Sequence, residues 1–172
     1  KHVFQPSIAI GENNMPAKMN RRKFLGRTAT VASVVVPAMI PASALGRAGR
    51  VAPSERVVMG SIGVGNMGFG DMNAFMSIPE VQVVAACDVK STMRDRAKKA
   101  VNAHYGNTDC AVYNDFRELL ARDDIDAVGI ATLDSWHVVH ALAAVRAGKD
   151  LYVEKPLGMS IGEIKVLRDA VH

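Results

Sequence analysis

From Arg56 to the end of the chain, short apolar runs alternate with amphipathic stretches. Val57 to Ile62, Val81 to Cys87, Ala127 to Ala131 and Leu151 to Val153 are too short for helices and read as strands buried on both faces. Between them the apolar positions fall three and four residues apart. Met93, Ala97, Ala100 and Val101 mark a helix that stops at Gly106, and Phe116, Leu119 and Leu120 mark another behind a cap at Asn114 or Asp115. A further helix is predicted from Ser135 through Ala147, closed by Gly148. The last opens on the capping-box pair Ser160 and Glu163, with Ile164, Leu167 and Val171 in phase. Strands and helices that alternate in this way need right-handed crossovers and a parallel sheet, so the predicted class is α/β, a doubly wound parallel sheet over residues 56–172.

The N-terminal part follows a different pattern. Asn20-Arg21-Arg22-Lys23-Phe24-Leu25-Gly26 opens a basic region, an apolar run extends from Thr28 to Ala44, and Ala42-Ser43-Ala44 offers small residues for cleavage. Residues 19–44 are therefore expected to be a signal peptide. The run is about 17 residues long and holds Pro37 and Pro41, short of the roughly 20 residues of a membrane span, so no stable span is expected. Its Arg-Arg-x-Phe-Leu core resembles a twin-arginine signal, which implies the twin-arginine translocon as a partner and a periplasmic or other extracytoplasmic location. Residues 1–18 precede Met19 and show no amphipathic period; no role is attached to them. Residues 45–55 read as a linker.

The formal charge of +4 and pI near 9.2 hint at nucleic acid until the charges are placed. Residues 1–50 hold eight of the 21 Lys and Arg but one of the 17 acids, which leaves the body of the chain acidic. Lys98 and Lys99 are its one adjacent basic pair and lack aromatic neighbours, so no nucleic-acid partner is expected. Cys87 and Cys110 each fall in an apolar run that reads as a buried strand; they are expected to be inert thiols, and neither has the spacing of a metal site.

Gly63-Val64-Gly65-Asn66-Met67-Gly68 follows the first strand and opens a stretch with Phe69, Met72 and Met76 at helical spacing, the strand, turn and helix of a dinucleotide-binding Rossmann fold. Gly63 would make the turn, Gly65 would admit the pyrophosphate, and Gly68 would let the helix approach the sheet, with Asn66 and Met67 at the helix start. Asp88, 20 positions after Gly68, ends the second strand, where a carboxylate accepts ribose hydroxyls and repels a 2′-phosphate. NAD is preferred on that ground, although Lys90 and Arg94 lie where they would shield the phosphate of NADP. A plain glycine loop and a helix-capping Asp88 are the competing readings. Two more polar segments follow later strands at the same sheet edge: Thr132-Leu133-Asp134-Ser135-Trp136-His137 and Glu154-Lys155-Pro156. By themselves Asp134 or Ser135 reads as a helix cap, Trp136 as packing, His137 as a surface or functional residue, and Lys155 with Glu154 as an ion pair.

In this order the twin-arginine leader, GVGNMG, the strand ending in CDV, YNDFRELL, DIDAVGIATLDSWH and ALAAVRAGKDLYVEKPL resemble the Gfo/Idh/MocA family, over residues 20–172. The resemblance implies a two-domain enzyme whose second α/β domain, absent from this chain, binds a sugar or cyclitol. It places Lys155 beside nicotinamide and substrate as the catalytic residue, with Glu154 and Pro156 shaping its turn. Thr132, Asp134 and His137 then line the cofactor. Leu133 departs from the family's Pro, and the family's proton-transfer Asp and His would lie beyond His172. The implied function is hydride transfer from a CH–OH group of a sugar or polyol to NAD(P), by an enzyme that is a homo-oligomer when full length and of which this portion alone would be inactive. Two other readings are kept: an exported NAD-dependent glycoside hydrolase of the same fold, and a non-catalytic NAD-binding module. A methyltransferase leaves the Glu-Lys-Pro turn unexplained.

Overall fold

The computed structural model describes residues 51–172; segment 1–18, the expected signal at 19–44 and the first part of the expected linker lie outside the described residues. After a 3-10 turn at Pro53–Glu55 the chain runs β1 (Val57–Ile62), α1 (Asn66–Met76), β2 (Val81–Cys87), α2 (Ser91–Tyr105), β3 (Ala111–Tyr113), α3 (Phe116–Leu120) and β4 (Ala127–Ile130). A second 3-10 turn (Asp134–Trp136) then leads into α4 (His137–Arg146), β5 (Asp150–Val153) and α5 (Ile161–Val171). The strands form one sheet in the order β3-β2-β1-β4-β5, every pair parallel. The chain steps outward from β1 to β3 and then returns to place β4 on the other side of β1. That reversal opens a crevice at the carboxyl ends of β1 and β4.

The central strands are mostly apolar because helices cover both faces. Ile62, Cys87, Val128 and Ile130 pack with Leu119, Val138, Ala141 and Leu167 on one side. Met59, Val83 and Ala86 pack with Met72, Met76, Ala97 and Val101 on the other. Burying a side chain such as Ile62 or Leu119 contributes about 1.5–3 kcal/mol. The ion pairs Arg117–Asp115, Arg122–Asp124 and Arg168–Asp169 join residues one or two apart in sequence at the surface, and such pairs contribute about 0–1 kcal/mol each. Apolar packing therefore holds the sheet. Ala85, Ala97, Ala141 and Ala144 are fully buried, and their small size brings helix and sheet close together.

Most helix ends obey local rules. Gly106 ends α2 with a left-handed φ of 68°. The α3 cap is Asp115, whose carboxylate accepts the Arg117 N–H at 2.9 Å. At α5 the Ser160 hydroxyl accepts the Glu163 N–H, and the Glu163 carboxylate accepts the Ser160 N–H, both at 3.2 Å. The helix predicted from Ser135 instead begins at His137, and neither Asp134 nor Ser135 caps it. Residues 134–136 form a 3-10 turn closed by the Trp136 N–H on the Leu133 carbonyl at 2.8 Å. Cys110 precedes β3 rather than lying in it. Both cysteines are free and buried, and burial, reinforced by Asp88, pushes the Cys87 thiol up to about 12.

Candidate dinucleotide-binding site

The three glycines of the loop after β1 do different work. Gly63 has a φ of 80°, and a Cβ there would stand 2.7 Å from the Ala131 carbonyl oxygen, so both angle and space demand glycine. At Gly68 a Cβ would collide with the Gly63 carbonyl and reach within 3.0 Å of the Ala131 side chain, which is how α1 settles onto β1 and β4. Gly65 has an ordinary φ of −65°, and nothing lies within 4 Å of where its Cβ would be. That space fronts the first turn of α1, which has no side-chain cap and whose leading amides lack intrahelical partners. Asn66 and Met67 are exposed there. A pyrophosphate fits: it takes the amides at the positive end of the helix and approaches over a residue without a side chain.

Asp88 holds this loop from the end of β2. One carboxylate oxygen accepts the Val64 N–H at 3.0 Å and the other the Lys90 N–H at 2.9 Å. Each oxygen keeps a second lone pair, so ribose hydroxyls can still donate to it. Asp88 is not the cap of α2, whose N-cap is Lys90 with no side-chain hydrogen bond; it fastens the loop and keeps lone pairs for a ligand. The Arg94 guanidinium donates to the Asp88 carbonyl at 2.6 Å and to Asn114 Oδ1 at 3.0 Å, while Lys90 is exposed. Arg96 was not foreseen. It donates to the Val64 and Gly65 carbonyls at 3.1 and 2.8 Å and lies 4.1 Å over the Phe69 ring. Asp88 thus takes an amide of the loop and Arg96 takes two carbonyls. No spacing rule separates Arg96 from the other basic residues of α2.

The other two segments emerge beside this cradle. Leu133 is exposed with φ −69° and ψ 144°, within the range a proline ring imposes, so the turn keeps that shape without proline. Asp134 is exposed on the 3-10 turn. Glu154 extends the β5 ladder, its N–H donating to the Ile130 carbonyl at 2.8 Å. Lys155 and Pro156 follow, exposed and joined by a cis peptide bond. His137 is buried behind the crevice rather than in it. Its Nδ1 lies 2.7 Å from the Pro156 carbonyl oxygen and its Nε2 3.2 Å from that of Thr132. The hydroxyl of Thr132 lies 3.2 Å from Nδ1 of His140. That ring sits between an edge of Phe116 at 4.5 Å and the face of Trp136 at 5.5 Å. Burial, and secondarily His137, push His140 down to about 4, so it is neutral at physiological pH. The His-x-x-His spacing was the available signal for it.

Beside Gly63 and Gly68 a small pocket is lined by Ser61, Asp71, Phe75, Ala131 and Tyr152. The Ser61 hydroxyl and one Asp71 oxygen are buried there without a protein partner. Burial, and then the Glu154 carboxylate, raise the Asp71 carboxyl above its usual range. The two loops and the start of α5 also expose Leu133, Trp136, Leu157, Met159 and Ile161.

The comparisons with known proteins agree with this geometry. Residues 57–172 match the model of an oxidoreductase family with an NAD-binding Rossmann fold, GFO_IDH_MocA. The chain is 40% identical over 119 residues to a glycosyl hydrolase family 109 protein of Saccharopolyspora erythraea, covering 67% of this chain and 26% of that one. It is 34% identical over 165 residues to the alpha-N-acetylgalactosaminidase of Shewanella oneidensis, covering 84% and 35%. Among solved structures it resembles scyllo-inositol dehydrogenase from Lactobacillus casei with bound NAD(H) and scyllo-inositol. That match has a TM-score of 0.61 and 27% identity over 67% of this chain and 33% of the other. The chain spans about a quarter to a third of the length of these proteins. With most of its residues inside the matched span, the chain belongs to the Gfo/Idh/MocA oxidoreductase family, whose NAD-binding Rossmann fold is the one built here.

Proposed function

We propose that this protein removes hydride from a CH–OH carbon of a sugar or cyclitol, with the described residues forming the cofactor-binding half of the site. The observation that carries the reading is the open approach to Gly65 and the uncapped start of α1, on the sheet edge that also presents Lys155. Bound NAD supplies the hydride acceptor. Gly63, Gly65 and Gly68 shape the phosphate cradle, and the amides of Asn66 and Met67 donate to it. Asp88 accepts the ribose hydroxyls, and its charge disfavours a 2′-phosphate. Thr132 and Asp134 line the nicotinamide side, and His137 supports them from behind. Lys155, held on the turn shaped by Glu154 and Pro156, donates to the substrate hydroxyl and orients it. A second domain closes over the exposed apolar side chains from Leu133 to Ile161 and supplies the proton acceptor. In the protein expressed from its native gene, Lys155→Ala is expected to lower turnover by about tenfold to a hundredfold, the effect of losing one hydrogen bond from a charged donor. Normal turnover would remove Lys155 from the mechanism.

A second reading is favoured by the curated relatives, which are named glycosyl hydrolase family 109 proteins and include an alpha-N-acetylgalactosaminidase. In it the hydride is removed and returned to the substrate within each turnover, and in between the alcohol departs and water takes its place, so a glycosidic bond is hydrolysed with no net change in NAD. Release of nitrophenol from a nitrophenyl N-acetylgalactosaminide without NADH accumulation selects this reading; NADH formed in proportion to product selects the dehydrogenase. Export through the twin-arginine translocon suits either enzyme, because that route carries folded proteins with cofactor already loaded. NAD co-purifying with exported protein is the expected result, and a nucleotide-free native mass opposes it.

A further inference from the structure

The structure assigns His137 a positioning role: it is a buried clamp that sets the Lys155 turn against the Thr132 loop. This rests on the reading of the crevice given above. With 1% of its surface exposed, the ring has no face for a ligand. The two oxygens it reaches belong to loops that leave adjacent strands: Thr132 follows β4, Pro156 follows β5, and β4 and β5 pair as far as Ile130 and Val153. The Glu154 N–H on Ile130 is the last backbone bond between them. Beyond it the loops diverge, and the imidazole spans the gap that the ladder no longer closes. Lys155 immediately precedes Pro156, so an anchored Pro156 carbonyl fixes the direction in which the turn presents Lys155. Both neighbours are carbonyl acceptors, and the shorter contact, 2.7 Å from Nδ1 to Pro156 against 3.2 Å from Nε2 to Thr132, assigns the donated N–H to Pro156. Packing alone does not call for this arrangement, since an aromatic hydrocarbon fills the same volume without a donor.

The two nitrogens can be tested separately. The amide nitrogen of asparagine sits near the place of Nδ1 and that of glutamine near Nε2. In the protein expressed from its native gene, His137→Gln and His137→Phe are expected to lower kcat about tenfold, the effect of one displaced hydrogen bond, while Kd for NAD stays within about threefold. His137→Asn, which keeps the donor toward Pro156, is expected to restore most of kcat. Amide exchange from Leu157 to Met159 is expected to quicken about tenfold in the Phe variant and to return toward wild type in the Asn variant. Wild-type turnover and exchange in all three variants overturn the clamp. So does equal loss of NAD binding and turnover in all three, which marks a packing residue. If the wild-type protein binds no NAD, the functional reading fails, and the exchange contrast between the Phe and Asn variants still decides the clamp.

Discussion

Replacing Gly65 with alanine should separate fold from ligand. The Cβ meets nothing within 4 Å, and φ is −65°, so no strain follows in the free protein. At a helix N-cap, alanine is poorer than glycine by about 0.5–1 kcal/mol. Loss of glycine's freedom in the unfolded chain offsets that by about 0.4–1 kcal/mol. The melting temperature should therefore stay nearly constant. The added methyl group occupies the approach to the first amides of α1 and displaces the pyrophosphate from one or more charge-assisted hydrogen bonds, worth about 1.5–3 kcal/mol each. NAD affinity should fall roughly 30- to 150-fold, equivalent to about 2–3 kcal/mol, when titrated by calorimetry. Gly68→Ala is the control with the opposite signature: its Cβ collides with the Gly63 carbonyl, so stability itself should drop by about 1–3 kcal/mol. Unchanged NAD affinity in Gly65→Ala would refute the placement of the phosphates over this residue, whatever the outcome at Gly68.

Two further consequences follow from the site's neighbours. His140 takes up a proton near 6.5 in the unfolded chain but only near 4 in the fold. The unfolded state therefore binds more protons between those values, and stability should fall as pH drops from 6.5 toward 4, by up to about 3 kcal/mol. His140→Phe should flatten that part of a denaturation series against pH, and an unchanged slope would assign the acid sensitivity elsewhere. Arg96→Met removes the donors to Val64 and Gly65. It should cost about 1–2 kcal/mol in urea unfolding and weaken NAD binding several-fold, and Lys at this position should not restore either, because it lacks the guanidinium fork. Wild-type values for both quantities in the Met variant would exclude the loop contact as a support.

The parts legible in the sequence are those governed by local or one-dimensional rules. Strands covered on both sides appear as unbroken apolar runs, so β1 and β2 have the predicted limits. The Ser160 and Glu163 cap is a contact between residues three apart. Gly63 by its conformation and contacts, and Gly68 by its contacts alone, exclude any side chain and so announce themselves. β3 is three residues long and only half-buried along its length, too short to carry a period. The start of α4 differs from the expected one because a local cap at Asp134 or Ser135 yields to contacts made by His137, one of them 19 residues away. Arg96 and the pocket lined by Ser61 and Asp71 arise only when α1, α2 and the sheet come together.

The double attachment of Asp88 constrains anyone who would re-engineer the coenzyme preference. The usual exchange puts a neutral or basic residue at this position to welcome a 2′-phosphate. Here the same carboxylate fastens the amides of Val64 and Lys90, so removing its charge for the sake of selectivity also slackens the phosphate loop. A switch to NADP would therefore have to start elsewhere: by redirecting Arg94 or Lys90 while retaining the acid, or by giving the two amides a new acceptor before the acid is taken away.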